Sequence, residues 1–450
     1  RPPRAGPHRV AQGAAVSRTA TPADVLSGAA RWCVVEGDAL AVLATLPDGC
    51  VDALVTDPPS GIAFMGAEWD RDKGGRAQWV AWLSEVLGLA RAATRDGGRS
   101  LVWSLPRTSH WTGCAVEDAG WSIETTITHL FGTGWPKGQS QLKPAAETWW
   151  LARTGRSEAL NIEACRVSGK RFPPNVVLSH ALGCCRVGER KVRGDARQGG
   201  GTRPGGFGDV GSPRGDSTPN ARGHGDPDGT ETVDAWECVE GCPVRELDAQ
   251  SGESTSSDRP RFNSARPVTP SKDAEAAHVT GGFSDTGTAS RFFPQFPADP
   301  AVFGYHAKPS RAERDAGVSL DARPADAYAA HRHRRMEGEP ERFDGAPVGR
   351  SANTHPTVKS IALMRWLVRL VSQRGQVILD TFAGSGTTGV AALAEGRRVI
   401  LIEREPRYAE IARQRCESVT FDLGVPVRVA PKAAPVAADP RQLSLLGGAR

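Results

Sequence analysis

The stretch GQVILDTFAGSGTTGVAALAEG, residues 375–396, reads as strand, glycine turn and helix. Val377 to Leu379 form a short apolar run of the kind buried in a parallel sheet, and Asp380 ends it. Gly384 and Gly386 bracket Ser385, where glycine permits a tight turn and a close backbone approach. The helix that follows offers free N–H groups at its start. A Walker phosphate loop needs a lysine followed by serine or threonine, and this turn has neither in place. The next run, RRVILIEREPRYAEIARQRC (397–416), supplies another strand and helix, and its strand ends at Glu403. A carboxylate about 20 residues beyond the first strand suits the hydroxyls of an adenosine ribose. Glycine-rich turns are common, but the strand context and Glu403 together imply a nucleoside-containing cofactor. The pattern fits a dinucleotide and S-adenosylmethionine alike.

Outward from that turn, the same rhythm appears at the other end of the chain. GDALAVLATLPDGCVDALVTDPP reads as a short helix, a turn at Pro47 to Gly49 and a strand from Val51 to Thr56. WVAWLSEVLGLARAAT carries helical apolar spacing, GGRSLVWSL is a strand, HWTGCAVEDAG is a helix ended by Gly120, and WSIETTITHLFG is a strand. SIALMRWLVRLV is a helix just before the glycine turn. Between these halves the texture changes: residues 194–229 hold 12 glycines and almost no apolar side chains. Such a segment buries too little to offset its ordering entropy. A second polar tract runs over roughly residues 250–290, with the compact island TVDAWECVEGCPVREL between the two. The expected organisation is a flexible arm (1–30), a first catalytic part (31–160), a target-recognition region with disordered loops (161–352), a second catalytic part with the cofactor turn (353–425) and a flexible tail (426–450).

The 450 residues are ample for a large core. A net charge of +5 permits a nucleic-acid partner, although 56 basic residues face 51 acidic ones. Nine cysteines are too sparse for a disulfide scaffold. No segment has the ~18 continuous apolar residues of a membrane span, and the arginine-bearing opening lacks an apolar signal core. A cytoplasmic protein without a membrane partner is the expectation.

In LVTDPPSGIAFMGAEWD, residues 54–70, two prolines stop a strand and leave Asp57 at its end. Taken alone, DPPSG is most simply a surface turn. Together, DPPSG and LDTFAGSGTTG resemble the two signature motifs of the amino-group DNA methyltransferases, which modify adenine N6 or cytosine N4. NTHPTVKSIALMRWLVRLV (353–371) resembles their third motif, and the order, with Asp-Pro-Pro first and the glycine turn last, is that of the beta class. Further similarity runs through GDALAVLATLPDG, TSHWTGCAVEDAGWSIETTITHLFGTGWPKG and KPAAETWWLARTG, as in the branch found in phages and restriction-modification systems.

The resemblance implies an α/β, Rossmann-like S-adenosylmethionine-dependent methyltransferase fold with an inserted irregular target-recognition region. In the cofactor turn it matches Asp380, Ala383, Gly384, Ser385, Gly386 and Thr387, with Phe382 as the adenine-side aromatic and Glu403 as the ribose acid. His355, Pro356 and Lys359 match the third motif, although Ser360 stands where a second proline is usual. Asp57, Pro58, Pro59 and Ser60 match the catalytic motif, and Asp57 also faces the cofactor.

An exocyclic amino nitrogen has its lone pair delocalised into the base. Asp57 and the backbone carbonyl of Pro58 can each accept one N–H, which turns the lone pair towards a methyl sulfonium; orientation supplies much of the rate. A target inside a duplex must be flipped out. The family usually has an aromatic residue at position 60 to stack on the base, and this chain has serine. Phe64, Trp69 and Trp135 are alternative faces, each weighed against a place in the core. A reduced platform favours the smaller ring, so cytosine N4 is the expected target, with adenine N6 as the near alternative. An RNA amino group and a non-catalytic DNA-binding protein with a methyltransferase-like fold are more distant ones. The implied partners are double-stranded DNA and a cognate restriction endonuclease acting on the same site, in a bacterial or phage-encoded setting at the nucleoid. Monomer and homodimer both remain open.

In the middle region, His180 and Cys184 form His-x3-Cys, and Cys238 and Cys242 form Cys-x3-Cys. Each pair can grip one tetrahedral ion from a loop, and one histidine with three thiolates is a standard structural zinc set. Cys185 competes with Cys184, and free cysteines are the plain alternative. Lys170, Arg171, Lys191, Arg193, Arg197, Lys308, Arg311 and Arg314 are candidate phosphate contacts.

Overall fold

The computed structural model describes residues 20–131, 142, 145–169, 171–181, 183–194, 226, 228–255, 261–262, 279–280, 285–297, 317–318, 353, 355 and 358–419. All of them lie in one unit that ends at Val419. The strands are β1 (Trp32–Glu36), β2 (Val51–Thr56), β3 (Thr94–Ser104), β4 (Ser122–Leu130), β5 (Ala146–Arg153), β6 (Val176–Ser179), β7 (Cys185–Arg193) and β8 (Thr230–Glu237). Four two-residue strands follow, β9 (Ser254–Thr255), β10 (Arg261–Phe262), β11 (Val279–Thr280) and β12 (Thr286–Gly287). The last three are β13 (Gln295–Phe296), β14 (Val377–Asp380) and β15 (Arg398–Glu403).

Nine of these strands form one sheet in the order β1-β15-β14-β2-β3-β5-β4-β6-β13. Every neighbouring pair is parallel except the two made by β5. The two late strands thus sit between β1 and β2, so early and late segments of the chain interleave on one side of a single α/β sheet. Asp52 accepts a hydrogen bond from the Val377 N–H (2.8 Å) where β2 and β14 begin. At their far ends, the Thr56 hydroxyl donates to Asp380 Oδ1 (2.8 Å). That second bond joins the Asp-Pro-Pro strand directly to the glycine-turn strand.

The apolar runs behave as a doubly covered sheet requires. Val377 and Leu379 pack on one face with Leu83, Leu87 and Val116 of helices Arg76–Ala93 and Ser109–Asp118. Ile378 turns to the other, where Leu363, Leu367, Ala391 and Ala412 come from helices Ile361–Val371, Thr387–Ala394 and Pro406–Glu417. Among the described residues no helix is long and apolar enough to cross a membrane.

Two elements lie near the expected divisions. The described residues start at Ala20, inside the arm expected to be flexible through residue 30. Thr21 and Asp24 form a reciprocal capping box at the start of helix Pro22–Ser27, whose Val25 is fully buried. Arg398 then holds the helix by donating to the Val25 and Leu26 carbonyls. The main sheet also continues past residue 160, because β6 and β13 extend its edge. Most of the glycine-rich tract and the residues beyond 419 lie outside the described residues.

Candidate active site

A cleft opens where β1, β15, β14 and β2 end, the place where ligands bind in open α/β sheets. Asp57, Pro58, Pro59, Ser60, His355, Lys359, Asp380, Phe382, Ala383, Gly384, Ser385, Thr387 and Glu403 all line it. Of the candidate cofactor residues, only Gly386 stands behind the lining, as the N-cap of helix Thr387–Ala394. Pro356 and Trp135 lie outside the described residues.

The glycine turn is held from three sides. Glu403 Oε2 accepts from the Gly384 N–H (2.7 Å) and Oε1 from the Glu405 N–H (2.9 Å). Gly384 has φ +52°, and a Cβ there would lie 2.6 Å from His355 Nε2, so conformation and space both require glycine. The His355 ring in turn meets Tyr408 edge-on at 4.5 Å and stacks loosely on Trp69 at 6.3 Å. From below, Arg415 donates to Ser385 O (2.7 Å), Ser385 Oγ (3.0 Å) and Thr387 Oγ1 (3.1 Å).

Burial governs three of the carboxyl groups that line the cleft. Burial lifts Asp380 to about 6, against hydrogen bonds from Thr388, the Phe382 N–H and Thr56. It lifts Glu403 to about 7, against the Glu405 and Gly384 N–H groups, while the charges of Asp380 and Glu405 add to the rise. It lifts Asp57 to about 6, against the pull of Lys359, with Glu147 and Asp380 adding to the rise. The Asp57 side chain still keeps 22% of its surface open, which is the part that faces the cleft. A cationic ligand there would favour the ionised forms. Beside the acids, Phe382 and Ile402 give an apolar wall. An aromatic wall beside acids suits a nucleoside with a cationic arm.

Lys359 lies against Asp57 rather than in the open cleft. Its Nζ is 3.0 Å from Asp57 Oδ2, 3.9 Å from Glu147 Oε2 and 3.6 Å from the centre of the Trp103 ring. Glu147 accepts from Trp103 Nε1 (2.7 Å) and bonds His129 Nδ1 (2.8 Å), and His129 Nε2 meets Ser179 Oγ (2.8 Å). A buried polar chain therefore runs from the strand end at Asp57 to β4, β5 and β6. The antiparallel register pairs His129 with Glu147 directly across β4 and β5.

Ser60 is occupied by its own loop. Asp70, 1% exposed, accepts from the Ser60 N–H and hydroxyl, from the Gly61 N–H (3.1 Å) and from the Phe64 N–H (2.8 Å). Thr108 donates to the Ser60 carbonyl (2.9 Å). Phe64 and Trp69 line the cleft and belong to neither face of the sheet's core. Asp70→Ala would strip the acceptor from the buried Gly61 N–H and the part-buried Ser60 and Phe64 N–H groups. We expect roughly 3 kcal/mol of lost stability, read as a lower urea midpoint at unchanged slope.

The second constellation also assembles. His180, Cys184, Cys238 and Cys242 present ligand atoms within 4.8 Å of one another. Cys185 is exposed, and its thiol donates to Gly183 O (3.8 Å), so Cys184 is the member that joins the cluster. Arg171 departs from its expected role at DNA phosphates. It is 5% exposed and bonds Glu231 (3.2 Å) and Asp285 (2.9 Å), a buried ion pair that fixes the middle region internally. Lys191 pairs with Asp228 at the surface. Lys170, Arg197, Lys308, Arg311 and Arg314 lie outside the described residues. Asp70, Glu147, His129 and Arg415 are the site residues that sequence reasoning missed.

The type II methyltransferase M.BglI of Bacillus subtilis is 40% identical over 72 residues, which is 16% of this chain and 21% of that protein. M2.DpnII of Streptococcus pneumoniae is 46% identical over 67 residues, 15% of this chain and 25% of that protein. The alignments thus span about a quarter or less of these relatives. Among solved structures, the PvuII DNA methyltransferase described as cytosine-N4-specific aligns over 88% of this chain and 89% of its own, at 12% identity and a TM-score of 0.44. A DNA modification methylase of Thermus thermophilus, complexed with S-adenosyl-L-methionine, aligns over 86% and 96%, at 15% identity and a TM-score of 0.36. The sequence model of the N6/N4 DNA methylase family matches residues 51–414, which hold both signature motifs and everything between them. The chain belongs to that DNA methylase family.

Proposed function

We propose that the chain is an S-adenosylmethionine-dependent DNA methyltransferase acting on the exocyclic N4 amino group of cytosine in double-stranded DNA. The observation that carries this reading is the shared cleft: Asp57 ends β2 and Glu403 ends β15, with the glycine turn between them. The bound cofactor supplies an electrophilic methyl group on a sulfonium. Asp57 accepts one amino N–H of a flipped base, and the Pro58 carbonyl accepts the other. The two prolines fix that carbonyl, and the lone pair is left facing the methyl donor. As transfer makes the nitrogen positive, the Asp57 carboxylate stabilises the growing charge. Glu403 and Phe382 hold the nucleoside, and Lys359 keeps Asp57 ionised between the buried acids.

Cytosine is favoured because the residue at position 60 offers no stacking face. Its hydroxyl is bound to Asp70, and a one-ring base needs less platform than adenine. Target reading falls to residues 161–352, and a restriction endonuclease sharing the site is the partner this function implies. The deciding experiment is digestion of methylated DNA to nucleosides, followed by mass spectrometry. N4-methylcytosine alone is the expected product. N6-methyladenine alone would overturn the base, and no methylated nucleoside despite normal cofactor binding would leave a non-catalytic DNA binder.

Cofactor binding should depend on pH through Glu403. The ionised carboxylate is the form that accepts ribose hydroxyls, and its free-protein value is about 7. Affinity should therefore weaken as pH falls, by roughly tenfold from about pH 8 to about pH 6. Titration calorimetry in buffers of different ionisation enthalpy should register proton release on binding at pH ~6.5. A flat profile would remove Glu403 from the ribose.

A further inference from the structure

The geometry points to a structural zinc ion held by His180 Nδ1 and the thiolates of Cys184, Cys238 and Cys242, fastening the β7–β8 ribbon and the helix after it to the edge of the main sheet.

The four ligands come from two matching turns. His180 follows β6 directly, and Cys184 precedes β7. Cys238 follows β8 directly, and Cys242 is the N-cap of helix Pro243–Ser251. Each pair has three residues between its ligands, and in each the residue before the second ligand is a glycine in the left-handed region, Gly183 (φ +93°) and Gly241 (φ +73°). Each turn is closed by a backbone hydrogen bond onto the second ligand, Cys184 N–H to Ala181 O (3.1 Å) and Cys242 N–H to Val239 O (3.3 Å). The ribbon brings the turns together, since Cys185 pairs with Glu237 and sets their neighbours Cys184 and Cys238 side by side.

The distances suit a tetrahedral ion. Zn–N near 2.0 Å and Zn–S near 2.3 Å imply N···S edges of about 3.6 Å. His180 Nδ1 lies 3.3 Å from Cys238 Sγ and 3.7 Å from Cys242 Sγ. The other ring nitrogen, Nε2, meets Gln295 Oε1 at 3.1 Å, the outer contact that leaves Nδ1 as the lone-pair side. Trp236 stacks on the ring at 3.8 Å and holds its plane. Three sulfur ligands select zinc over calcium or magnesium.

Packing shows what an ion adds there. Along β7 every residue is exposed or only half-buried, and the cluster beneath has four buried members, Leu178, Ala181, Cys242 and Val244, with Leu130, Val176, Leu247 and Phe293 partly buried against it. Beyond that cluster and the Arg171–Glu231 pair, metal binding contributes folding free energy directly at the turns. None of the four ligands lines the cofactor cleft. The ion is therefore distinct from the methyl-transfer chemistry, and its presence does not depend on that assignment.

The test uses the full chain, purified without chelator and measured by mass spectrometry for metals. About one zinc per chain is expected, retained in Cys185→Ser and lost in Cys238→Ser and in Cys242→Ser. Metal-free protein titrated with Co2+ should develop the visible absorption of a tetrahedral ion together with thiolate-to-metal charge transfer. Zinc removal should leave the affinity for S-adenosylmethionine within about twofold while raising protease cleavage within β7–β8. A wild-type chain without zinc that also gives no tetrahedral Co2+ spectrum overturns the proposal. So does a disulfide between any two of the three cysteines in that protein, or loss of the metal in Cys185→Ser.

Discussion

Asp57→Ala is expected to lower the methyl-transfer rate constant by on the order of a thousandfold while changing S-adenosylmethionine affinity by no more than a few-fold. The split follows from position. Asp57 stands at the end of β2 facing the cleft, whereas the glycine turn proposed to hold the nucleoside is braced by Glu403 and Arg415. Removing Asp57 takes away an acceptor for one amino N–H and the negative charge that develops its full value only as the nitrogen becomes positive. Such an interaction is stronger in the transition state than in the ground state, so its loss appears in the rate and not in cofactor binding. The fold should tolerate the change, because Glu147 remains 3.9 Å from Lys359 as a counter-charge. Single-turnover kinetics with pre-bound cofactor measures the chemical step. A variant that keeps its rate but loses cofactor affinity would move Asp57 from chemistry to binding.

The parts of this site that were legible in the sequence are those set by local rules. A short apolar run that ends in an acid and is followed by glycines reads as a strand meeting a turn, which places Asp380, Gly384 and Glu403 from local pattern. Two prolines after Asp57 define the other strand end in the same way. The His-x3-Cys and Cys-x3-Cys pairs were legible because a ligand pair within one turn is also local. What escaped depends on register and loop closure. His129 and Glu147 look like ordinary strand residues until β4 and β5 align them across a pair. Asp70 becomes a hub only when its loop folds back on Ser60, and nothing in the spacing announces that. Arg415 is one of several arginines in PRYAEIARQRCE, and only packing shows that it is 1% exposed and supports the glycine turn. The capped helix Pro22–Ser27 was missed for the opposite reason: the arginine-bearing opening reads as a flexible arm, although its capping signal is present.

Lys359→Met should shift the acidic limb of the pH–activity profile upward by roughly two units and reduce turnover at about pH 7 by roughly tenfold. Asp57 sits at about 6 as the balance of two opposing effects, with burial raising it and Lys359 lowering it. Without the ammonium, only the raising influences remain: burial, Glu147 and Asp380. The carboxyl then stays protonated above neutrality, and a protonated acid neither stabilises a cationic nitrogen nor offers both oxygens as acceptors. Activity should return as the pH is raised, because the same carboxylate forms at a higher pH. That recovery separates electrostatic tuning from structural damage, since a misfolded loop would not be repaired by base. Methionine keeps the stem packed on Trp103, which the lysine covers at 3.6 Å, so the apolar contact survives while the charge goes. If Lys359 instead served to hold the cofactor, the variant would show a raised KM for S-adenosylmethionine and an unmoved limb. The position of that limb, measured as kcat/KM for DNA at saturating cofactor, decides between the two roles.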